Sequence, residues 1–324
     1  MIAVTGAAGF IGSNLAHRLA AAEMPLLLVD HPLIAPKPAN WVGLKSFTFM
    51  EHVPFLEALE QGHLPVDTIF HLGACSDTTQ TDWQFLLSNN VEYSQRLWAW
   101  CARTGATLIY ASSAATYGDG LLGFDDATHP RDLRPLNPYG RSKNAFDLWA
   151  AEQVAGSRPA PPHWAGVKFF NVYGPRELHK GRMASMAWHA YRQIMKTGEV
   201  ALFRSNDPSI ADGEQRRDFV YVGDCIDHML WLAESRSASD LYNSGSGQAR
   251  TFLDLVHAVF AALNTEPRIR FIPMPPDLSA QYQNFTCAST HKLHATGYPK
   301  SATSLEDGTS LYVSWLIEHD TIGE

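Results

Sequence analysis

Three glycines set three apart, Gly6, Gly9 and Gly12 in the stretch TGAAGFIG, stand between the apolar run IAVT and a helical pattern over 12–22. Glycine lets the turn tighten and the backbone approach a pyrophosphate. The N–H groups that open the following helix then face the negative charge. Few folds accept such a turn, and the residues after it agree with one of them. The next apolar run, LLLVD at 26–30, closes on Asp30, an acid placed to accept from the ribose hydroxyls of an adenosine. Lys37 follows seven residues later and is either a contact for a 2′-phosphate or a plain loop lysine. The motif predicts a bound dinucleotide and leaves NAD and NADP both open, Asp30 favouring free ribose hydroxyls and Lys37 a 2′-phosphate; the cofactor expected is NADP, with NAD possible.

The alternation continues along the chain. Apolar runs at 68–73, 107–113 and 166–174 are separated by helical patterns over 82–104 and 138–156. Near-continuous apolar strands parted by helices predict a parallel sheet covered on both faces. Later come a run at 217–222 opening a helix, 240–245, a helix at 251–263, the run 268–275 and a last helix at 305–318. The expected fold class is α/β, a Rossmann-type doubly wound parallel sheet with a smaller, mixed α/β lobe for the substrate. The expected division gives 1–170 with 213–244 to the dinucleotide domain, and 171–212 with 245–324 to the substrate lobe.

Composition narrows the class. The 324 residues are 45% hydrophobic, enough for a full core and two lobes. A net charge of −8 shows no basic excess, which argues against a nucleic-acid partner. The four cysteines, Cys75, Cys101, Cys225 and Cys287, form no CxxC pair and read as buried thiols rather than a metal site or disulfide set. No apolar run approaches about 18 residues, so no membrane span is expected and a cytoplasmic protein is the default.

The stretch NPYGRSK places Tyr139 and Lys143 four apart at the start of a helix, on one face. A free tyrosine near pKa 10 is a poor base, and lowering it three units takes about 4 kcal/mol. An ammonium about 4 Å away at an effective dielectric of 20 supplies roughly that much. Ser113, ending the run TLIYASS, is placed to hydrogen-bond a reacting oxygen. Together with the glycine turn, this set resembles the extended short-chain dehydrogenase/reductase family, whose members mostly act on nucleotide sugars. The dehydratase branch carries an Asp-Glu pair after the hydroxyl residue; here those places hold Ala114 and Ala115. That argues for an epimerase or a simple dehydrogenase.

The stretches FHLGACSDTT (70–79), YASSAATYG (110–118), FNVYGPRELHKGRMAS (170–185), RDFVYVGD (217–224) and YQNFT (282–286) are similar to the ADP-heptose epimerase branch of that family, over nearly the whole chain. The resemblance implies inversion at C6 of the heptose of an ADP-sugar, through a transient ketone, as a step toward the lipopolysaccharide core. It implies two proton acceptors, Tyr139 for one epimer and Lys180 of the HKG segment for the other, with Lys143 and Ser113 assisting. Lys180 would have to be partly neutral, and Arg176, His179 and Arg182 are expected to depress its pKa, with burial adding to them. Its rival roles are a phosphate contact and a surface charge.

The resemblance also implies cofactor contacts at Phe10, Ile11, His31, Leu72, Gly73, Ala74, Cys75, Ser76 and Asn89. It implies substrate contacts at Ser113, Asn171, Val172, Arg182, His189, Phe203, Arg217 and Tyr282, and a homo-oligomer. The chain departs from the branch at Leu72, where an acid is usual, at His52, where a lysine is usual, and at Arg182, where a serine is usual. The alternatives are an epimerase or dehydrogenase of another nucleotide sugar, and a dinucleotide-binding regulator that has lost its chemistry.

Overall fold

The computed structural model describes residues 1–32, 37–235, 238–275 and 282–319, and of residues 37 and 38 the backbone alone. Its main sheet has seven parallel strands: β1 (Ile2–Thr5), β2 (Leu26–Asp30), β3 (Phe47–Glu51), β4 (Thr68–His71), β5 (Thr107–Ser113), β6 (Trp164–Phe169) and β10 (Asp240–Ser244). Their order is β10-β6-β5-β4-β1-β2-β3. The order reverses between β1 and β4, and that switch point leaves a crevice at the C-terminal edge of the strands. The helices α1 (Phe10–Ala21), α2 (His52–Glu60), α3 (residues 83–104), α4 (Pro138–Ala155) and α6 (Val222–Glu234) accompany the strands. One apolar cluster gathers Val4, Leu15, Leu28, Val167 and Met229 on one face of the sheet. Another gathers Leu27, Phe55, Ile69, Trp98 and Phe146 on the other.

A second core is built from β7 (Asn171–Tyr173), α5 (Met186–Thr197), β8 (Val200–Phe203), β9 (Arg216–Tyr221), β11 (Ala249–Thr251), α7 (Phe252–Ala262), β12 (Ile269–Ile272) and α9 (Leu305–His319). Strands β11, β9 and β7 form one small sheet, and β12 and β8 another. Tyr173, Tyr191, Phe260 and Tyr312 fill the space between them. A short helix α8 (His291–Ala295) packs near β10.

The apolar run 166–174 is not one strand. Phe170 interrupts it, its N–H donating to Ser244 O at 3.1 Å, and the chain passes from the seven-stranded sheet into the three-stranded one. This crossing carries Asn171 and Val172 past the crevice. The long helix also departs from simple expectation: Leu87–Glu92 widens into a π turn, where Asn89 and Asn90 sit. Such turns recur at functional sites.

Two histidines are buried neutral. His71 lies between Thr5 Oγ1 (2.7 Å) and Ser94 Oγ (2.9 Å), and burial pushes its pKa down to about 3. His228 Nδ1 faces Ser244 Oγ at 2.9 Å, and burial lowers it to about 4. The unfolded chain takes up these protons below about 6.5, whereas the folded chain refuses them. Their contribution is therefore full above pH 6.5 and falls as pH drops toward 4, by about 3 kcal/mol per histidine. Asp126, raised by burial to about 6, acts in the opposite sense, as do the buried Glu177, Asp218 and Asp224, while His17 and His52, also lowered by burial, act with the pair. Urea unfolding at pH 7.5 and pH 4.5 should show a clear loss of stability at the lower value. An unchanged midpoint would contradict the neutral assignment.

Candidate active site

A cavity of about 760 Å³ occupies the crevice at the switch point. One end is lined by Gly6, Gly9, Phe10, Ile11 and Gly12 from the first turn and by Asp30 and His31 beyond β2. Leu72, Gly73, Ala74 and Ser76 from the loop after β4 and Asn89 from α3 continue the wall. The α1 N-terminus has no side-chain cap, so its first N–H groups remain for an anion. Asp30 is buried, its carboxylate accepting from Ala8 N at 2.8 Å and His31 N at 2.9 Å. A bare helix start, a glycine turn and an acid at the second strand's end fit an adenine dinucleotide. Cys75 is absent from the lining. Asn90, buried in the π turn, instead holds its backbone, accepting from Cys75 N (2.9 Å) and donating to Cys75 O (3.0 Å). The side chain of Lys37 lies outside the described residues.

Asn137 and Pro138 fix where the reactive helix begins. The Asn137 side chain accepts from Gly140 N at 2.8 Å and Pro138 occupies the first turn, which brings Tyr139 and Lys143 to the cavity beside Ser113. Asn90 also donates to Ser142 Oγ (2.9 Å), which donates to the Tyr139 carbonyl (2.7 Å). Sequence reading missed this buried clamp, whose only signal is the doubled asparagine in LSNNVE. The electrostatics differ from expectation. Burial raises the Tyr139 phenol above its ordinary range, and the hydrogen bond with Ser113 offsets part of this. Lys143 donates to Ala111 O at 3.0 Å, and burial lowers it to about 8 despite the nearby Asp147 carboxylate. At about 8 the lysine is still mostly charged near pH 7, but burial outweighs its pull on the Tyr139 phenol.

Lys180 reaches the same cavity from a 3₁₀ segment, Leu178–Met183. Its Nζ stands 5.1 Å from the centre of the Phe10 ring, on the helix that opens the glycine turn. Gly181 follows at φ +53°, a backbone conformation a β-carbon disfavours, and it lets the chain double back after Lys180. The segment is fastened to the cofactor end at two points. Asn14 Nδ2 donates to Pro175 O at 2.9 Å, while Asn40 lies 3.0 Å from His179 Nδ1 and donates to Ala8 O at 2.9 Å. Burial lowers the Lys180 pKa, and the Glu177 carboxylate opposes it. The expected repulsion from Arg176, His179 and Arg182 is therefore not the cause: desolvation is.

Ser113, Asn171 and Val172 line this cavity, but Arg182, His189, Phe203, Arg217 and Tyr282 do not. Arg182 and His189 line a second cavity of about 580 Å³ on the far side of the Lys180 segment, with Trp188, Arg192, Lys196 and Arg270. Arg217 is buried between Phe252 (5.6 Å) and Tyr282 (4.9 Å), one side chain behind the wall that Phe252 helps to form. Phe203, half-buried at the end of β8, lines neither cavity. Among the lining residues not singled out from sequence are Met183, Met186 and Phe252. Their positions depend on how the second lobe folds over the first.

The chain matches the model of the NAD dependent epimerase/dehydratase family over residues 2–245. A protein of Nitratidesulfovibrio vulgaris (strain DP4) named ADP-L-glycero-D-manno-heptose-6-epimerase is 47% identical over 320 residues, 97% of each chain. The crystal structure of the Helicobacter pylori ADP-L-glycero-D-manno-heptose-6-epimerase aligns with a TM-score of 0.80 at 28% identity, covering 98% of this chain and 96% of that one. The Thermus thermophilus UDP-glucose 4-epimerase complex with NAD aligns with a TM-score of 0.76 at 26% identity, covering 97% of both chains.

Proposed function

This chain belongs to the NAD dependent epimerase/dehydratase family, and from that premise we propose that it converts ADP-D-glycero-D-manno-heptose to ADP-L-glycero-D-manno-heptose by inverting C6. A nicotinamide dinucleotide, when bound in its oxidised form, supplies the hydride acceptor and a positive charge to the shared cavity. We propose NADP as the resident form. Tyr139 accepts the C6 hydroxyl proton of one epimer, with Ser113 hydrogen-bonded to its phenol. The resulting ketone turns about the bond to the rest of the sugar. It then presents its other face to the returning hydride and its oxygen to Lys180, which returns a proton. The hydride taken from C6 would be the one given back, so there would be no net oxidation; Tyr139 gains a proton, Lys180 loses one, and proton exchange with solvent resets both. Asn171 and Val172 hold the sugar, and Arg182 and His189 take its more distant part.

The observation that carries this reading is that Tyr139 and Lys180, a phenol and an amine, both line one cavity. Tyr139 enters from α4, and Lys180 enters from the segment behind β7. One fixed base cannot serve an oxygen that points in two directions. The heptose-epimerase name borne by the Nitratidesulfovibrio relative supports an ADP-heptose over another nucleotide sugar. The intact Ser113, Tyr139 and Lys143 set supports an enzyme over a silent regulator. A cytoplasmic homo-oligomer is part of the proposal, and no helix among the described residues is long and apolar enough to cross a membrane.

The test is incubation with each ADP-heptose epimer and with UDP-glucose, followed by product analysis. Either ADP-heptose should yield the same mixture of both epimers, without net consumption of dinucleotide, and UDP-glucose should be returned unchanged. Turnover of UDP-glucose alone, or tight dinucleotide binding without any turnover, would contradict it.

A further inference from the structure

We propose that the stacked imidazoles of His31 and His52 form the seat of the adenosine 2′-phosphate, and that the preference for NADP over NAD is acquired with a proton and fades as pH rises. This rests on the dinucleotide reading above and concerns which dinucleotide is held, and when.

The pair is a product of strand register. Asp30 and Glu51 are partners across β2 and β3, so the next residues along each chain, His31 and His52, leave the sheet side by side. Their ring centres lie 3.9 Å apart at 50°, and both rings line the cavity next to Asp30. Asp30 itself is engaged with Ala8 N and His31 N, so its carboxylate braces the glycine turn. His52 Nδ1 is shielded from solvent and has no hydrogen-bond partner among the described residues. A shielded ring nitrogen without a partner is costly unless something occupies the site. Tyr93 backs His52 from α3 at 6.0 Å, its hydroxyl donating to the His52 carbonyl at 3.1 Å, and so fixes the backbone that carries the ring.

The charges around the pair decide its response. Burial lowers the pKa of His52, His31 lowers it further, and Asp30 and Glu51 oppose them. Tyr93 on α3 adds no charge at neutral pH, and the side chain of Lys37 lies outside the described residues. Two imidazolium rings in contact repel each other, and with burial this holds His52 toward its neutral form in the empty site. A phosphate dianion between or beside the rings reverses that balance, because opposite charge favours the protonated form. Binding a 2′-phosphate therefore takes up a proton, and raising the pH weakens it. A ribose diol, as in NAD, draws no such proton. The second pKa of the phosphate is near 6, so above about pH 6.5 the ligand is already a dianion and the imidazoles alone account for the trend.

Calorimetry with two fragments reads this without turnover. The probes are 2′,5′-ADP and 5′-ADP, titrated into protein freed of dinucleotide, at pH 6.5 and 8.5 and in two buffers of different ionisation enthalpy. The wild-type affinity for 2′,5′-ADP should fall by about tenfold over this range, with proton uptake on binding, while that for 5′-ADP stays nearly level. His52→Gln and His31→Gln should abolish the uptake and flatten the profile. His52→Lys should bind 2′,5′-ADP tightly at both pH values without taking up a proton. A wild-type preference that does not change with pH, or Gln variants with the wild-type profile, would overturn the proposal. Binding of neither fragment would overturn the dinucleotide reading itself and the proposal with it.

Discussion

Gly6→Ala should yield a protein that folds but holds dinucleotide at least about 100-fold more weakly. Two independent penalties act at this position. Gly6 has φ +66°, a conformation that costs an alanine about 1–2 kcal/mol. A β-carbon there would also stand 2.7 Å from Gly73 N and 2.8 Å from Gly73 Cα. These are backbone atoms of the loop that forms the opposite wall of the cofactor end, and they have no side-chain freedom with which to yield. The first turn and the loop after β4 must part, which widens the cleft where the pyrophosphate and the nicotinamide half are expected. A loss of about 3 kcal/mol in binding corresponds to the factor given. Titration of dinucleotide by fluorescence, with circular dichroism to establish folding, measures it. A folded variant with wild-type affinity would contradict the placement of the cofactor.

Tyr139→Phe and Lys180→Met should each reduce epimerisation by about 10²–10⁴-fold, the usual worth of a positioned proton acceptor. Both substitutions keep the bulk of the side chain. Phenylalanine retains the ring and loses the hydroxyl that bonds Ser113; methionine retains most of the aliphatic length and loses the ammonium that stands over the Phe10 ring. In the full reaction the two variants should look alike from either epimer, because each turnover uses one group going out and the other coming back. Their pH profiles should differ. Burial holds the phenol above its ordinary range and the amine below its own. The wild-type dependence on a partly neutral amine should therefore persist in Tyr139→Phe and vanish in Lys180→Met. If Lys180 only gripped phosphate, Lys180→Met would raise KM and leave kcat near its wild-type value.

Much of this arrangement is written locally in the chain. The glycine turn, the acid closing β2, and the Asn137–Pro138 start that presents Tyr139 and Lys143 each depend on a few neighbouring residues. All of them lie where the sequence places them. What could not be read depends on distant packing. The run 166–174 looks like one strand because its apolar character never breaks, yet Phe170 turns toward Ser244, 74 positions on, and divides it between two sheets. Lys180 stands in a cluster of cations, which suggests repulsion. Its pKa is lowered instead by burial, which the Glu177 carboxylate opposes. Arg182 lies within the Lys180 segment and His189 just beyond it in sequence, yet both line a separate cavity past the reversal at Gly181. The His31–His52 contact exists only because β2 and β3 are in register, a fact that neither strand states alone.

The most direct test follows the first half-reaction alone. Each ADP-heptose epimer is mixed rapidly with enzyme carrying oxidised dinucleotide, and the absorbance of the reduced nicotinamide is recorded in a single turnover. Tyr139→Phe should slow hydride removal from one epimer and spare the other, and Lys180→Met should show the reverse. Two variants that slow the same epimer, or that slow both epimers equally, would mean that one group handles both protons and that the second amine does no proton transfer.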